Sequence, residues 1–207
     1  IGDEKTASSI LEELSRVSMR VDEVNKKTVK RNPLPPFTTS KLQQDSIRKM
    51  KFSAKKTMML AQQLYEGIEL QDGEQVGLIT YMRTDSVRIS EESAVEARGY
   101  ILKQFGSDYA LEKPRFFKNP KKAQDAHEAI RPTSVFHTPE SVSPYLSRDQ
   151  LLLYKLIWKR FVACQMAQAL INQVSISILG GPYRFIASGS LIQFPGFLIL
   201  YQGREKK

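Results

Sequence analysis

The sequence predicts an α+β protein: a mostly helical domain, helix-turn-helix-like at its start, inserted into a small β-rich domain built from both chain ends. Three observations lead there. Val17, Met19 and Val21 near the start, and Val174, Ile176 and Ile178 near the end, alternate with polar residues, the two-residue period of a strand with one buried face. Between them, apolar residues recur at helical spacing behind Ser40, Ser53, Ser90 and Ser147, each a good helix N-cap. Finally, Asn32–Pro36 holds three prolines in five residues, which ends a strand and makes a stiff boundary. The expected division is 1–36 for the first part of the β-rich domain, 37–170 for the helical domain and 171–207 for the second part of the β-rich domain.

Taken in order, Glu4–Leu14 carries Ile10, Leu11 and Leu14 at helical spacing and opens the chain with a short amphipathic helix. The alternation from Val17 then runs unevenly towards Val29. Beyond the prolines, Ser40 caps a helix to Met50 with Leu42, Ile47 and Met50 on one side. Ser53 caps a second helix with Met58, Ala61, Leu64, Tyr65 and Ile68, and Gly67 lies near its end. Two helices joined by so short a turn resemble a helix-turn-helix, as any αα-hairpin does. After Gln71-Asp72-Gly73, the apolar run Val76–Ile79 predicts a short buried strand. Ser90 opens a helix with Ala94, Ala97, Ile101, Leu102 and Phe105 inward, stopped by Gly106; Glu91 and Glu92 complement the dipole in its first turn. Ser147-Arg148-Asp149-Gln150 has the capping-box pattern and starts a long helix with Leu153, Ile157, Phe161 and Cys164 on one stripe. Gly180-Gly181 turns the late strand back into Tyr183–Ile186, and Pro195-Gly196 cuts the alternation around Leu191–Phe194.

Charge narrows the choice of partner. The formal net charge is +9 and the pI near 9.6, which favours a polyanion, nucleic acid before an anionic membrane surface. From Lys26 to Lys56 there are ten basic residues against one acid, Asp45. The loop Lys113–Lys122 sets Phe116 and Phe117 among Lys113, Arg115, Lys118, Lys121 and Lys122. Rings that stack on bases, beside cations that hold phosphates, suit a single nucleic-acid strand. The same rings could equally pin the loop to the core. A 41% hydrophobic and 26% charged composition describes a folded chain, not a disordered one. No apolar run approaches the ~18 residues of a membrane span, and no signal-peptide pattern opens the chain. The single cysteine, Cys164, excludes an internal disulfide and a cysteine-based metal site; the cytoplasm is the expected compartment. Ile1 in place of methionine, and Arg204-Glu205-Lys206-Lys207 directly after an apolar segment, read as a piece cut from something longer.

The densest chemistry lies in Gly77–Ser86, where Thr80, Tyr81, Arg83, Thr84, Asp85 and Ser86 crowd the end of the apolar run. A phenol with an ordinary pKa of ~10 is a poor nucleophile until a base or nearby cations favour its phenolate. Arg83, two residues from Tyr81, could stabilise charge developing on a phosphate. The residues alone leave another reading open, with Tyr81 packed in a core and Arg83 paired to Asp85 on the surface. His127 lies in His127-Glu128-Ala129-Ile130-Arg131, which lacks the second histidine of a zinc-binding helix.

Leu78-Ile79-Thr80-Tyr81-Met82-Arg83-Thr84-Asp85-Ser86 closely resembles the active-site signature of the type IA DNA topoisomerases. Ala126–Thr133 resembles that family's histidine segment, and Pro35–Gln44 the stretch that opens its tyrosine-bearing domain. The methionine after Tyr81 fits the bacterial topoisomerase I branch better than topoisomerase III or reverse gyrase. The resemblance implies that Tyr81 attacks a phosphate of single-stranded DNA, leaving a transient 5′-phosphotyrosyl link that rejoins without ATP. It implies that Arg83 steadies the phosphate charge and that His127 binds phosphate or orients the site. Thr80, Asp85, Arg131, Lys118, Lys121 and Lys122 are the expected DNA contacts, Asp85 by orienting Arg83 and not by holding a metal. His137 has no assigned role. The family's helical tyrosine domain is carried on a strand-rich hinge domain that lets a protein gate open. No cofactor is expected in this segment; Mg²⁺ enters through a separate acidic domain, which with single-stranded DNA completes the expected partners. The segment alone is expected to lack relaxation activity. The alternative is a non-catalytic module that binds single-stranded nucleic acid.

Overall fold

The computed structural model describes residues 2–71, 73–119 and 127–202. Its elements in chain order are α1 (Glu4–Ser15), β1 (Met19–Arg31), α2 (Thr39–Met50), α3 (Ala54–Glu66), β2 (Ile68–Glu69), β3 (Gln75–Val76), α4 (Glu91–Phe105), α5 (Pro139–Val142), α6 (Arg148–Gln165), β4 (Ala169–Gly180) and β5 (Tyr183–Phe194). Together they make an α+β fold of two compact units, one holding the residues up to Arg31 with Ala169–Pro195, the other Asn32–Gln168 with the residues from Gly196 on.

The strand-rich unit is an antiparallel sheet in the order β1-β4-β5. Its register runs from Met19 opposite Gly180 to Arg31 opposite Ala169, with a bulge between Val21 and Glu23. The β4–β5 turn is made by Gly181, whose φ of 57° falls in the left-handed region, followed by Pro182. A side chain at Gly180 would lie 2.7 Å from Met19 Sδ, so glycine lets the start of β1 close over the hairpin. β5 is exposed along nearly its whole length, with Ile186 and Leu191 largely in solvent.

In the helical unit the buried residues gather around α6. Leu153, Tyr154, Ile157, Trp158 and Phe161 are buried; the Tyr154 hydroxyl donates to His137 O at 2.5 Å and Trp158 Nε1 to Val135 O at 3.0 Å. The full capping box at Ser147 and Gln150 starts this helix. Ser53 and Ser90 cap α3 and α4 as the sequence predicts. α2 differs. Its cap is Thr38, because Thr39 is bonded to Thr84 and already begins the helix. Leu42 and Ser46 are its buried residues, while Ile47 remains half exposed. Ile68, expected on α3, lies past Gly67 in β2. Lys51 at φ 59° ends α2, and Lys51-Phe52-Ser53 joins it to α3 as an αα-hairpin. Asp45 on α2 accepts Arg48 at 3.0 Å, Lys49 at 3.2 Å and Arg160 of α6 at 3.5 Å, tying the two helices.

Gly196–Leu200 forms a short 3₁₀ turn that packs with the helical unit, although 171–207 was expected with the strands. Phe197 N donates to Ala167 O at 2.9 Å, and a Cβ on Gly196 would lie 2.4 Å from Gln168 O, so only glycine fits where the chain comes back. Among the described residues no helix is long and apolar enough to cross a membrane.

Candidate active site

The tyrosine segment begins as a strand and leaves the ladder within a few residues. Regular pairing covers only Gln75–Val76 against Ile68–Glu69, shorter than the Val76–Ile79 strand the apolar run predicts. Gly77 then lets the end of α3 approach: Leu78 N donates to Leu64 O at 2.8 Å, and a Cβ on Gly77 would lie 2.7 Å from Tyr65 O. Leu78 and Ile79 are buried, as the run implied. Ile79 makes a single bridge to Pro132, with Thr80 N donating to Arg131 O at 2.9 Å and Thr133 N to Leu78 O at 3.1 Å. Pro132 occupies the non-hydrogen-bonded position of that pair, where its missing N–H costs nothing. Beyond it the Thr80 hydroxyl replaces the backbone ladder, donating to Ala129 O at 2.7 Å and accepting from Arg131 N at 3.0 Å.

From Tyr81 to Ser86 the chain alternates without a sheet: Tyr81, Arg83 and Asp85 are exposed, Met82, Thr84 and Ser86 buried. Thr39 fastens the buried side. Its hydroxyl contacts Met82 O at 2.7 Å and Thr84 O at 3.0 Å and accepts from Thr84 N at 2.8 Å, while its own N–H donates to Thr84 O at 2.9 Å. Asn119 secures the far end, its Oδ1 accepting from Ser86 Oγ at 3.1 Å and Val87 N at 2.9 Å. Sequence reasoning missed both residues, since their partners lie more than thirty positions away.

On the exposed side the Tyr81 ring stands between two others. The Tyr65 ring is 5.5 Å away, edge to face, and the His127 ring 6.1 Å away, tilted. Thr39, Ser40, Gln43, Arg83, Thr84, Asp85 and His127 line a shallow concavity of about 470 Å³. Among the described residues neither Arg83 nor Asp85 has a hydrogen-bond or ion-pair partner, so the alternative surface pair of the two is not formed.

The remaining expected DNA contacts divide. Arg131 turns inward: Nε and Nη2 donate to Glu128 Oε2 at 3.0 and 2.7 Å, Nη1 donates to Pro132 O at 2.9 Å, and the guanidinium lies 6.0 Å from the Phe161 ring. Thr80 has its hydroxyl engaged on both sides. Lys118 is exposed beside the exposed Phe116, while Phe117 is half-buried; Lys121 and Lys122 lie outside the described residues. Arg115, read as a loop cation, caps the end of α6 instead, donating from Nη1 to Cys164 O at 2.9 Å and Met166 O at 3.1 Å. Burial lowers its pKa from the ordinary guanidinium value. Burial also pushes the Cys164 thiol up to about 12, which leaves it a small apolar filler.

Glu128 is held by Arg131, and among the described residues Asp85 has no ion-pair partner and no three His, Cys, Asp or Glu side chains come together.

The sequence matches a family model described as DNA topoisomerase over residues 1–207. The solved structure of full-length topoisomerase I from Thermotoga maritima, in a monoclinic crystal form, matches with a TM-score of 0.83 and 40% identity, over 98% of this chain and 32% of that one. This chain therefore belongs to the DNA topoisomerase family, and what it resembles is a segment of the bacterial topoisomerase I kind. It spans about a third of the length of that solved relative.

Proposed function

We propose that this chain carries the nucleophile of a type IA topoisomerase, and that Tyr81 cleaves and rejoins single-stranded DNA. The Tyr81 oxygen, its proton lost to solvent, attacks a backbone phosphorus; the bond to the 3′-oxygen breaks and that oxygen takes up a proton. The products are a 5′-phosphotyrosyl link and a free 3′-hydroxyl. One phosphoester replaces another, so the reverse step reseals the strand with no ATP. Arg83 steadies the negative charge that spreads over the non-bridging oxygens. His127 binds the phosphate or orients the phenol from beside its ring. Asp85, on the same exposed side as Arg83, orients the guanidinium as DNA arrives. Lys118 and Phe116 extend the contact along the strand. In the longer enzyme, Mg²⁺ would be held by an acidic domain outside this segment, and the segment alone would not relax supercoiled DNA. The cytoplasm is its proposed compartment.

One observation supports this reading above the others: Tyr81, Arg83 and Asp85 share the exposed side of a single extended segment, with the His127 ring 6.1 Å from the tyrosine. The test is Tyr81→Phe in the full-length enzyme, which keeps the ring packing and removes only the hydroxyl. An end-labelled single-stranded oligonucleotide run on a denaturing gel should show a protein–DNA band for the parent and none for the variant. A band of normal intensity from the variant would assign the chemistry to another residue.

A further inference from the structure

We infer that Thr39 is a positioning residue for Arg83, a role that rests on the function proposed above. Thr39 is the first residue of α2, a helix held to α6 through Asp45 and Arg160 at 3.5 Å, so it projects from a braced element. Its hydroxyl and N–H contact the backbone of Met82 and of Thr84, the residues on either side of Arg83. These bonds fix both peptide planes flanking Arg83, and with them the side on which its side chain emerges. Among the described residues no regular structure does so, because β3 ends at Val76 and the bridge to Pro132 ends at Ile79. Arg83 consequently emerges into the concavity that also holds His127, on the same side as Tyr81. Thr39 does this at second hand. Its hydroxyl is occupied by backbone partners on its donor and acceptor sides, so it is not free to bind a phosphate.

A guanidinium that stabilises a transition state must be placed to well under an ångström, whereas one that merely attracts DNA tolerates drift. Thr39 should therefore act on the rate of cleavage and not on binding. The experiment uses the full-length enzyme with Thr39→Val, which keeps the shape and removes the hydroxyl, and Thr39→Ser, which keeps the hydroxyl. Thermal melts confirm that each variant is folded at the assay temperature. At saturating oligonucleotide, the valine variant should form the covalent adduct about tenfold to a hundredfold more slowly, with its dissociation constant within about twofold of the parent. The serine variant should recover most of the rate. The decisive arm is the pair with Arg83→Ala, in which the valine substitution should cost less than about twofold because the group it positions is gone.

An unchanged valine effect in the Arg83→Ala background would overturn the inference and make Thr39 a support of the fold at large. A loss confined to binding would overturn it equally, as would failure of serine to rescue. If Arg83→Ala alone leaves the rate intact, the Arg83 assignment falls and this inference with it. An adduct from Tyr81→Phe would instead sink the proposed nucleophile, so the two failures are told apart.

Discussion

Replacing Arg131 by alanine separates two roles that the same residue type can play near DNA. The guanidinium donates twice to Glu128 Oε2, at 3.0 and 2.7 Å, and once to Pro132 O at 2.9 Å, with its side chain 12% and that of Glu128 27% exposed. Hydrogen bonds to charged groups contribute about 1.5–3 kcal/mol each where they are buried. Here the sum is smaller, because Glu128 can be rehydrated from its open side once its partner is gone, and the two strongest bonds share one oxygen. The packing against Phe161 adds about 0.5–1 kcal/mol. The expected loss is ~3 kcal/mol, a fall in Tm of roughly 10 °C for a chain of this size. The assay pairs a circular-dichroism melt with fluorescence anisotropy of a single-stranded oligonucleotide at several salt concentrations. Removing one phosphate-binding cation from a single-strand site should lower the log–log salt slope by about 0.7. Arg131→Ala should lower Tm and leave that slope unchanged; Lys118→Ala should do the reverse. A variant at Arg131 with native Tm and a shallower slope would refute the assignment of its guanidinium to Glu128.

Arg83→Ala in the full-length enzyme should leave the nucleophile present but slow adduct formation about 10²–10³-fold; a normal rate in the gel assay would move charge stabilisation to another cation. Stability should also fall at alkaline pH. Burial raises the Cys164 thiol from 9.0 to about 12 and raises the Tyr154 phenol as well, so both hold protons in the folded chain that the unfolded chain gives up. The Cys164 contribution is fully present below pH 9 and is lost as pH rises towards 12, by about 1.4 kcal/mol per pH unit, while that of Tyr154 begins to be lost only above pH 10. Urea titrations of Cys164→Ala should show a flatter decline, and an unchanged slope would place the effect elsewhere.

The local grammar was legible and the tertiary choices were not. Ser53, Ser90 and Ser147 cap helices because a hydroxyl before an apolar period needs only its own N–H groups three residues on. Ser40 was expected to cap α2 by the same rule, but Thr38 does so, because bonds from Thr39 to Thr84, far along the chain, start the helix earlier. The Val76–Ile79 run announced the burial of Leu78 and Ile79 correctly but not their pairing, since a single bridge and a helix carbonyl satisfy them in place of a ladder. The two-residue spacing of Tyr81 and Arg83 was visible in the sequence, whereas the exposed face that both share with Asp85 emerges only in the structure. Arg131 carried a readable hint, Glu128 three positions earlier, the spacing of a local ion pair. Arg115 carried none, because the carbonyl groups it caps belong to residues 164 and 166.

The pairing of Arg31 with Ala169 has a kinetic consequence. Those two residues are far apart in sequence, yet Arg31 is the last of its strand before the chain enters the helical unit and Ala169 the first of its strand after the chain leaves Gln168, so that unit must form before they can meet cheaply. Once it has, the closure cost is already met and the sheet can grow residue by residue from Arg31 opposite Ala169 out to Met19 opposite Gly180. The order of events is then helices first and the strands of the β1-β4-β5 sheet last, which pulse-labelled hydrogen exchange would read as protection of α6 amides ahead of those in β1. A chain emerging from the ribosome would carry β1 as a single unpaired strand until β4 is made, and its cluster of Lys26, Lys27, Lys30 and Arg31 is the kind of charge that keeps such a strand from pairing with a neighbour.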